Sequence, residues 1–346
     1  MFKIAIDAMG GDNAPEAIIA GVEKARNEMP DVEFQLYGSV ERMQKLVEKD
    51  ERISLIQADE MIEMGEEPVK AMRKKKQSSL VLAAQAVKAG DADALFSAGN
   101  TGALLAVGIF IVGRMKGVDR PALMTALPAL KGPHTSFTMM DVGANAENKA
   151  VHLYQYGILG SFYAKEVLGF DNPRVGLLNN GGEADKGDPV HKEAHQLLQN
   201  GSDAGYMNFV GNVESRDLLQ GPADVVVSDG FTGNATLKAI EGTAKTILSV
   251  MKHAIVDGNT RSKMGGLMLK PALSGVAEKL DYSQYGGAVV IGTNAPVVKT
   301  HGSATAGEVA NTLQQIETIL KADLTGKVAE FVAAHPDELS GKSVDA

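Results

Sequence analysis

The 346-residue chain is 44% apolar and carries 34 lysines and arginines against 43 aspartates and glutamates, a formal charge of −9. That balance argues against nucleic acid as a general partner. With no cysteine at all, disulfides, thiolate metal sites and a cysteine acyl-enzyme are excluded.

From the N-terminus, Phe2 to Asp7 reads as a strand that ends in Asp7-Ala8-Met9-Gly10-Gly11-Asp12-Asn13-Ala14-Pro15. Its early start predicts no signal peptide, and with it a cytoplasmic protein. Asn13 is placed to cap the helix that follows, Pro15 suits the first turn, and Ile18, Ile19 and Val22 form the apolar face. The stretch is not G-x-G-x-x-G, and no acidic residue ends the second strand, Glu33 to Tyr37, so a nicotinamide nucleotide is not indicated. Asp7 and Asp12 could hold a metal, although two carboxylates alone more often serve turns and caps. A helix is expected over Val40 to Lys49 and a strand over Ile53 to Ile56. The polar stretch Asp59 to Gln77 then ends in Arg73-Lys74-Lys75-Lys76, a solvated face or a docking point for an acidic partner.

After a helix over Val81 to Ala89, a short strand, Ala94-Leu95-Phe96, runs into Ser97-Ala98-Gly99-Asn100-Thr101-Gly102 and a helical run from Leu104 to Met115. The same unit recurs later, where Val225-Val226-Val227 runs into Ser228-Asp229-Gly230-Phe231-Thr232-Gly233, then Asn234 and a long helix. Both are strand, S-x-G-x-T-G turn, helix. Glycine lets a ligand approach the main chain, and the unpaired amides and dipole at a helix start favour an anion. Alternatively both are plain tight turns of a wound sheet; the repetition, with Thr and Asn beside the glycines, favours a ligand. Residues 94 to 113 carry no charge, but Gly99, Asn100 and Gly102 in their midst indicate a buried strand and helix rather than a membrane span.

Between the two units lie strands over Leu123 to Leu127 and Ser136 to Asp141, the second opening into Asp141-Val142-Gly143-Ala144-Asn145. The strand Val175 to Leu178 opens into the Gly-, Asn- and Asp-rich loop Asn179 to Pro189, whose lone cation is Lys186. His191 and His195 follow at i, i+4, a metal-compatible spacing with no third ligand in sight, so surface histidines are the preferred reading. Another strand, Phe209 to Glu214, precedes the second unit. The long helix after Asn234 is amphipathic, breaks over Asp257 to Gly266, and resumes from Leu267 to Leu280, which predicts a helical hairpin projecting over 250–281. Strands over Gly286 to Ile291 and Val297 to Thr300 end in His301-Gly302-Ser303; a helix over Thr305 to Leu320 and the segment Gly326 to Ala334 close the fold. Strands and helices alternate throughout with no flexible linker, so residues 1–346 read as a single α/β domain with a mainly parallel sheet.

Taken together, Asp7-Ala8-Met9-Gly10-Gly11-Asp12, the two S-x-G-x-T-G turns, Asp141-Val142-Gly143-Ala144-Asn145 and His301-Gly302-Ser303 resemble the bacterial phosphate acyltransferases of phospholipid synthesis, the acyl-ACP:phosphate transacylases. The resemblance spans nearly the whole chain and departs from the usual pattern in the Asn179 to Gly187 loop and at Val289 to Ile291. It implies a three-layer α/β/α fold related to phosphotransacetylases and isocitrate-dehydrogenase-type enzymes, a homodimer, acyl carrier protein (ACP) as partner, and transfer of an acyl group from acyl-ACP to inorganic phosphate. Such chemistry requires an anion site and stabilisation of a developing oxyanion, with neither cofactor nor metal. For that reaction Lys186 is assigned to phosphate charge and the transition state, and Asn234 to phosphate or oxyanion. Gly99, Asn100, Thr101, Gly102, Asn145, Thr232 and Gly233 would line the cradle, with Asp229 and His301 as orienting groups. Two alternatives are an acyl-CoA-dependent phosphotransacylase and a non-catalytic phosphometabolite-binding protein. Finally, Lys252 to Lys279 holds five lysines and arginines against two acidic residues, with Met264, Leu267, Met268, Leu269 and Leu273 among them. That pattern suits an anionic membrane surface met by residues 261–273, hence a peripheral membrane contact near a membrane-bound acyltransferase that takes the product; burial against a partner subunit is the other reading.

Overall fold

The computed structural model describes residues 1–280, 285–335 and 339, the side chains of Glu278 and Leu280 excepted. Eleven strands form one sheet in the order β3-β2-β1-β4-β11-β10-β5-β6-β9-β7-β8. In sequence they are β1 (Phe2–Asp7), β2 (Val32–Gly38), β3 (Ile53–Gln57), β4 (Ala94–Ser97), β5 (Ala122–Pro128), β6 (Ser136–Met140), β7 (Arg174–Asn179), β8 (Asn208–Glu214), β9 (Val225–Val227), β10 (Ala288–Ile291) and β11 (Val297–Lys299). The run β3-β2-β1-β4-β11 is parallel throughout, and so is β6-β9-β7-β8. Antiparallel pairings of β10 with β11 and β5, and of β5 with β6, join the two runs. The central strands are buried on both faces, as their continuous apolar runs require.

Helices cover both faces, which gives the three layers. On one side α1 (Glu16–Glu28), α6 (Ala150–Glu166), α7 (Pro189–Asp203) and α10 (Ala306–Lys321) pack Ile18, Val22, Tyr154, Leu198, Val309 and Leu313 into one core. On the other, α3 (Pro68–Lys74), α4 (Ser79–Ala89), α5 (Thr101–Val107) and the start of α8 (Gly230–Val256) bury Met72, Leu80, Val87 and Leu104 in a second, with Leu237 and Ile240 packed against it. Within β11 the period of two is visible, since Val298 belongs to the first core and Val297 to the second.

Three local expectations are corrected, and one helix is added. Asn13 does not cap α1; its amide donates to the carbonyls of Ser303 at 3.1 Å and Ala304 at 3.3 Å, tying the first loop to the one after β11. The helix expected over Val40 to Lys49 is the short α2 (Val40–Met43), because Glu23 accepts from the amides of Glu48 and Lys49 and Arg26 donates to the Lys49 carbonyl. The polar stretch before Gln77 contains α3, capped by Glu67 with Pro68 at its first position. In the hairpin, α9 (Thr260–Leu280) starts inside the break expected over Asp257 to Gly266 and runs through Gly265-Gly266. Gly266 serves contact instead, for a Cβ there would lie 2.1 Å from Ile255 Cγ2 of α8. The expected end of the hairpin at Asp281 lies outside the described residues.

Candidate active site

Where the two parallel runs meet, a cleft of about 510 Å³ opens, lined from one side by Asp12, Thr101, Gly102, Leu105, Thr300 and His301 and from the other by Leu123, Thr125, Val142, Gly143, Asn234 and Leu237. The first S-x-G-x-T-G turn, through Thr101 and Gly102, and Asn234, the residue just after the second turn, therefore face a common space.

The first turn rests on a buried carboxylate. Asp7, at the end of β1, accepts from Ser79 Oγ at 2.5 Å and Ser97 Oγ at 2.7 Å, and Ser97 Oγ in turn accepts from the Gly99 amide at 2.9 Å. Burial pushes the Asp7 carboxyl above its ordinary value, against the opposing effect of those hydroxyls. Asn100 is buried and already fully used. Its Oδ1 accepts from Ala103 N at 3.0 Å, while its Nδ2 donates to the carbonyls of Met64 at 2.9 Å and Glu66 at 3.0 Å. It caps α5 and holds the segment that brings Met64 to the cleft, which leaves half-buried Thr101 and Gly102 as the members of the turn that line it.

The second turn leans on another buried carboxylate, Asp141. Its Oδ1 accepts from the amides of Leu123 (3.1 Å), Gly143 (3.0 Å) and Ala144 (2.8 Å), its Oδ2 from Asn145 N (2.8 Å) and Nδ2 (2.9 Å). Burial again raises this carboxyl above its ordinary value, and the amides oppose it. Asn145 also donates to the Pro121 carbonyl at 2.8 Å and to Tyr156 Oη at 3.1 Å, so it braces the loop. A Cβ on Gly233 would stand 2.0 Å from the Asp141 carbonyl oxygen; glycine here lets the start of α8 press on the loop. Asn234, the next residue, is thereby set against Gly143 in the cleft wall. Asp229 caps α8 by accepting from Thr232 N at 2.8 Å.

Lys186 sits in an exposed loop and does not line the cleft. Its loop is nonetheless tied to the start of α8. Asp188 caps α7 and meets His191 Nδ1 at 2.9 Å, and His191 Nε2 lies 3.7 Å from Asp229 Oδ2. His195 bonds Asn212 at 3.0 Å instead. The two histidines thus have separate partners, and among the described residues no three metal-ligating side chains stand together.

One cleft residue escaped the motif reading. Lys299 ends β11 in the middle of the sheet, lines the cleft, and donates from Nζ to the Thr300 carbonyl at 2.7 Å. Burial holds its ammonium below the ordinary lysine value, offset in part by Asp12. The available signal was a charged residue closing the apolar run Val297-Val298. Two residues on, His301 Nδ1 accepts from Ser303 N at 3.3 Å, which in the neutral ring leaves the proton on Nε2. Of the motif residues, then, Thr101, Gly102, Asn234 and His301 share the cleft wall. Gly99, Asn100, Asn145, Asp229, Thr232 and Gly233 stand behind or beside it, and Lys186 on the neighbouring loop. A lysine, an imidazole N–H and an amide around an open space beside apolar walls (Leu105, Leu123, Val142, Leu237) can hold an anion next to an acyl group.

Comparison with known proteins agrees with that chemistry. Residues 2–327 match the family model described as "Fatty acid synthesis protein". A phosphate acyltransferase of Leuconostoc mesenteroides is 61% identical over 337 residues, 97% of this chain and 98% of that protein. The fold is similar to a phosphotransacetylase from Streptococcus pyogenes (TM-score 0.61, 17% identity, 93% of this chain and 94% of that one). It is also similar to a branched-chain phosphotransacylase from Enterococcus faecalis (TM-score 0.60, 15% identity, 92% and 98%).

Proposed function

Because this chain belongs to the phosphate acyltransferase family, we propose that its cleft is where an acyl group passes from the thioester of acyl-ACP to inorganic phosphate. The observation that carries this reading is the convergence of Thr101 and Gly102 of the first turn, Asn234 directly after the second, a strand-end lysine and an apolar wall on one cleft. A phosphate oxygen attacks the thioester carbonyl carbon and the carbon–sulfur bond breaks. The departing sulfur takes the proton of the monohydrogen phosphate, so acyl phosphate and free thiol are the products. Little acid–base power is needed, because phosphate is an anion and a thiolate leaves readily; positioning and charge stabilisation do most of the catalysis. Asn234 is assigned to the oxyanion, with Thr101 and Gly102 shaping the opposite wall. Lys186 approaches from the loop held to α8 by His191 and offsets charge in the transition state. The apolar wall receives the acyl chain.

The product serves phosphatidic acid and phospholipid synthesis at the membrane in a cytoplasmic homodimer. ACP, an acidic protein, docks on local basic patches such as exposed Arg73, Lys74 and Lys76, whereas Lys75 is engaged with Glu66 and the Met61 carbonyl. The chain acts as one α/β domain whose hairpin projects; exposed Met264, Leu267, Met268 and Leu269 near its turn meet anionic lipid. No helix among the described residues is long and apolar enough to cross a membrane, so this contact is peripheral. The test is turnover of Asn234→Ala and Lys186→Ala with acyl-ACP and with acyl-CoA. Each substitution is expected to lower the rate about 100- to 1000-fold, and acyl-ACP to be the donor consumed. Near-normal turnover in both variants, or consumption of acyl-CoA alone, contradicts the reading.

A further inference from the structure

Lys299 is a charged cleft residue for which the family motifs provide no role. It is placed by pairing on both sides, Lys299 with Ser97 of β4 and with Ala288 of β10, so its backbone is among the most constrained in the cleft. By strand alternation it shares the face of Val297, whose neighbour across the layer is Gly108 at the end of α5. That face carries the cleft. The side chain is partly buried, and its ammonium has three donors. One reaches the Thr300 carbonyl. Among the described residues, no carboxylate comes within ion-pair distance of it. Asp12 lines the same cleft without reaching it, and Glu308 is engaged at the α10 cap, accepting from Thr305 N and Oγ1. A partly desolvated cation with donors to spare and no carboxylate in direct contact is costly unless an anion completes it.

We propose that the Lys299 ammonium, with His301 Nε2–H from the same cleft wall, binds the phosphate that attacks the thioester. The inference rests on the reading of this cleft as the acyl-transfer site and adds the identity of the cation that binds phosphate there. Lys299 holds phosphate in the ground state, while Lys186 acts from the loop as charge moves to the carbonyl oxygen. The geometry also orients the donor. With phosphate at the β11 end, the acyl chain runs along Leu105, Leu123, Val142 and Leu237.

The test compares wild type, Lys299→Met and Lys299→Arg. Methionine keeps the apolar stem and removes the charge; arginine keeps the charge. Lys299→Met is expected to raise KM for phosphate at least tenfold and to lower kcat/KM for phosphate about 100-fold. KM for the acyl donor should stay within about twofold, and Lys299→Arg should recover much of the phosphate affinity. Unchanged phosphate dependence in folded Lys299→Met, or an equal rise in KM for both substrates, overturns the proposal. A second measurement needs no variant. Wild-type protein is acylated with a small anhydride in the presence and absence of inorganic phosphate, and the modification of each lysine is read by mass spectrometry. Phosphate should slow labelling of Lys299 markedly more than that of Lys238, which lines the same cleft; equal labelling with and without phosphate refutes the site. Protection of Lys299 in a protein that transfers no acyl group would leave this site standing and defeat the acyl-transfer reading instead.

Discussion

Replacing Asp141 should show how far the second half of the cleft depends on one buried carboxylate. Five donors converge on it, four of them backbone amides at 2.8 to 3.1 Å. Asp141→Ala removes every acceptor and leaves those amides inside a wall that water enters poorly. At ~1 kcal/mol for each unsatisfied amide, the lower bound, the loss is about 4 kcal/mol. Part is offset because the ionised carboxylate was itself disfavoured by burial. Asp141→Asn preserves Oδ1 and its three bonds but turns an NH₂ toward the two donors of Asn145, so about 2 kcal/mol is expected. Against a total of ~5–15 kcal/mol for a typical protein, the alanine variant should lose a large share of its stability and the asparagine variant remain clearly folded. Urea unfolding followed by circular dichroism gives both values. Turnover of Asp141→Asn should also fall, because Gly143 and Asn234 are in contact and the loop positions the amide. Stability of Asp141→Ala within ~0.5 kcal/mol of wild type would refute the reasoning.

Gly233→Ala forces a methyl into the Asp141 carbonyl, at 2.0 Å before relaxation, so a loss of ~1–3 kcal/mol with a larger proportional loss of turnover is expected from paired denaturation and rate measurements. Because burial lowers the Lys299 ammonium below the ordinary lysine value, the charged form is lost as pH rises through that lowered value. kcat/KM for phosphate should therefore decline on the alkaline side sooner than an ordinary lysine allows. The other titratable groups lining that cleft are Asp12, Lys238, Glu241, His301 and Glu308, and Lys299→Arg should remove the decline if Lys299 causes it. Leu267→Glu with Leu269→Glu should abolish co-sedimentation with anionic vesicles at low salt and leave turnover of soluble acyl-ACP intact. A wild type that never sediments would make that face of the hairpin a protein interface instead.

Much of the sheet was legible because its strands are short apolar runs bounded by glycine and aspartate, as at Val225-Val226-Val227. The two turns were legible because one pattern recurred. What the sequence concealed were contacts between distant segments. Asn13 has the local features of a cap, yet its amide bonds carbonyls 290 residues away at Ser303 and 291 away at Ala304. Gly265-Gly266 looks like a helix break, yet Gly266 is spent on packing against Ile255. Asn100 and Asn145 look like ligand groups, but the side-chain N–H groups of each are committed to neighbouring carbonyl, carboxylate or hydroxyl oxygens. Lys299 was concealed for the opposite reason: a lysine after two valines reads as a strand end reaching solvent, and the pairing that places β11 between β4 and β10 is invisible in the local sequence.

The central claim is tested most directly by incubating the purified chain with acyl-ACP and radiolabelled inorganic phosphate, and following label and free thiol together. Acyl transfer to phosphate predicts labelled acyl phosphate appearing in step with the ACP thiol, and no thiol release when phosphate is omitted. Thiol release without phosphate, or binding of phosphate with no labelled product, would contradict it.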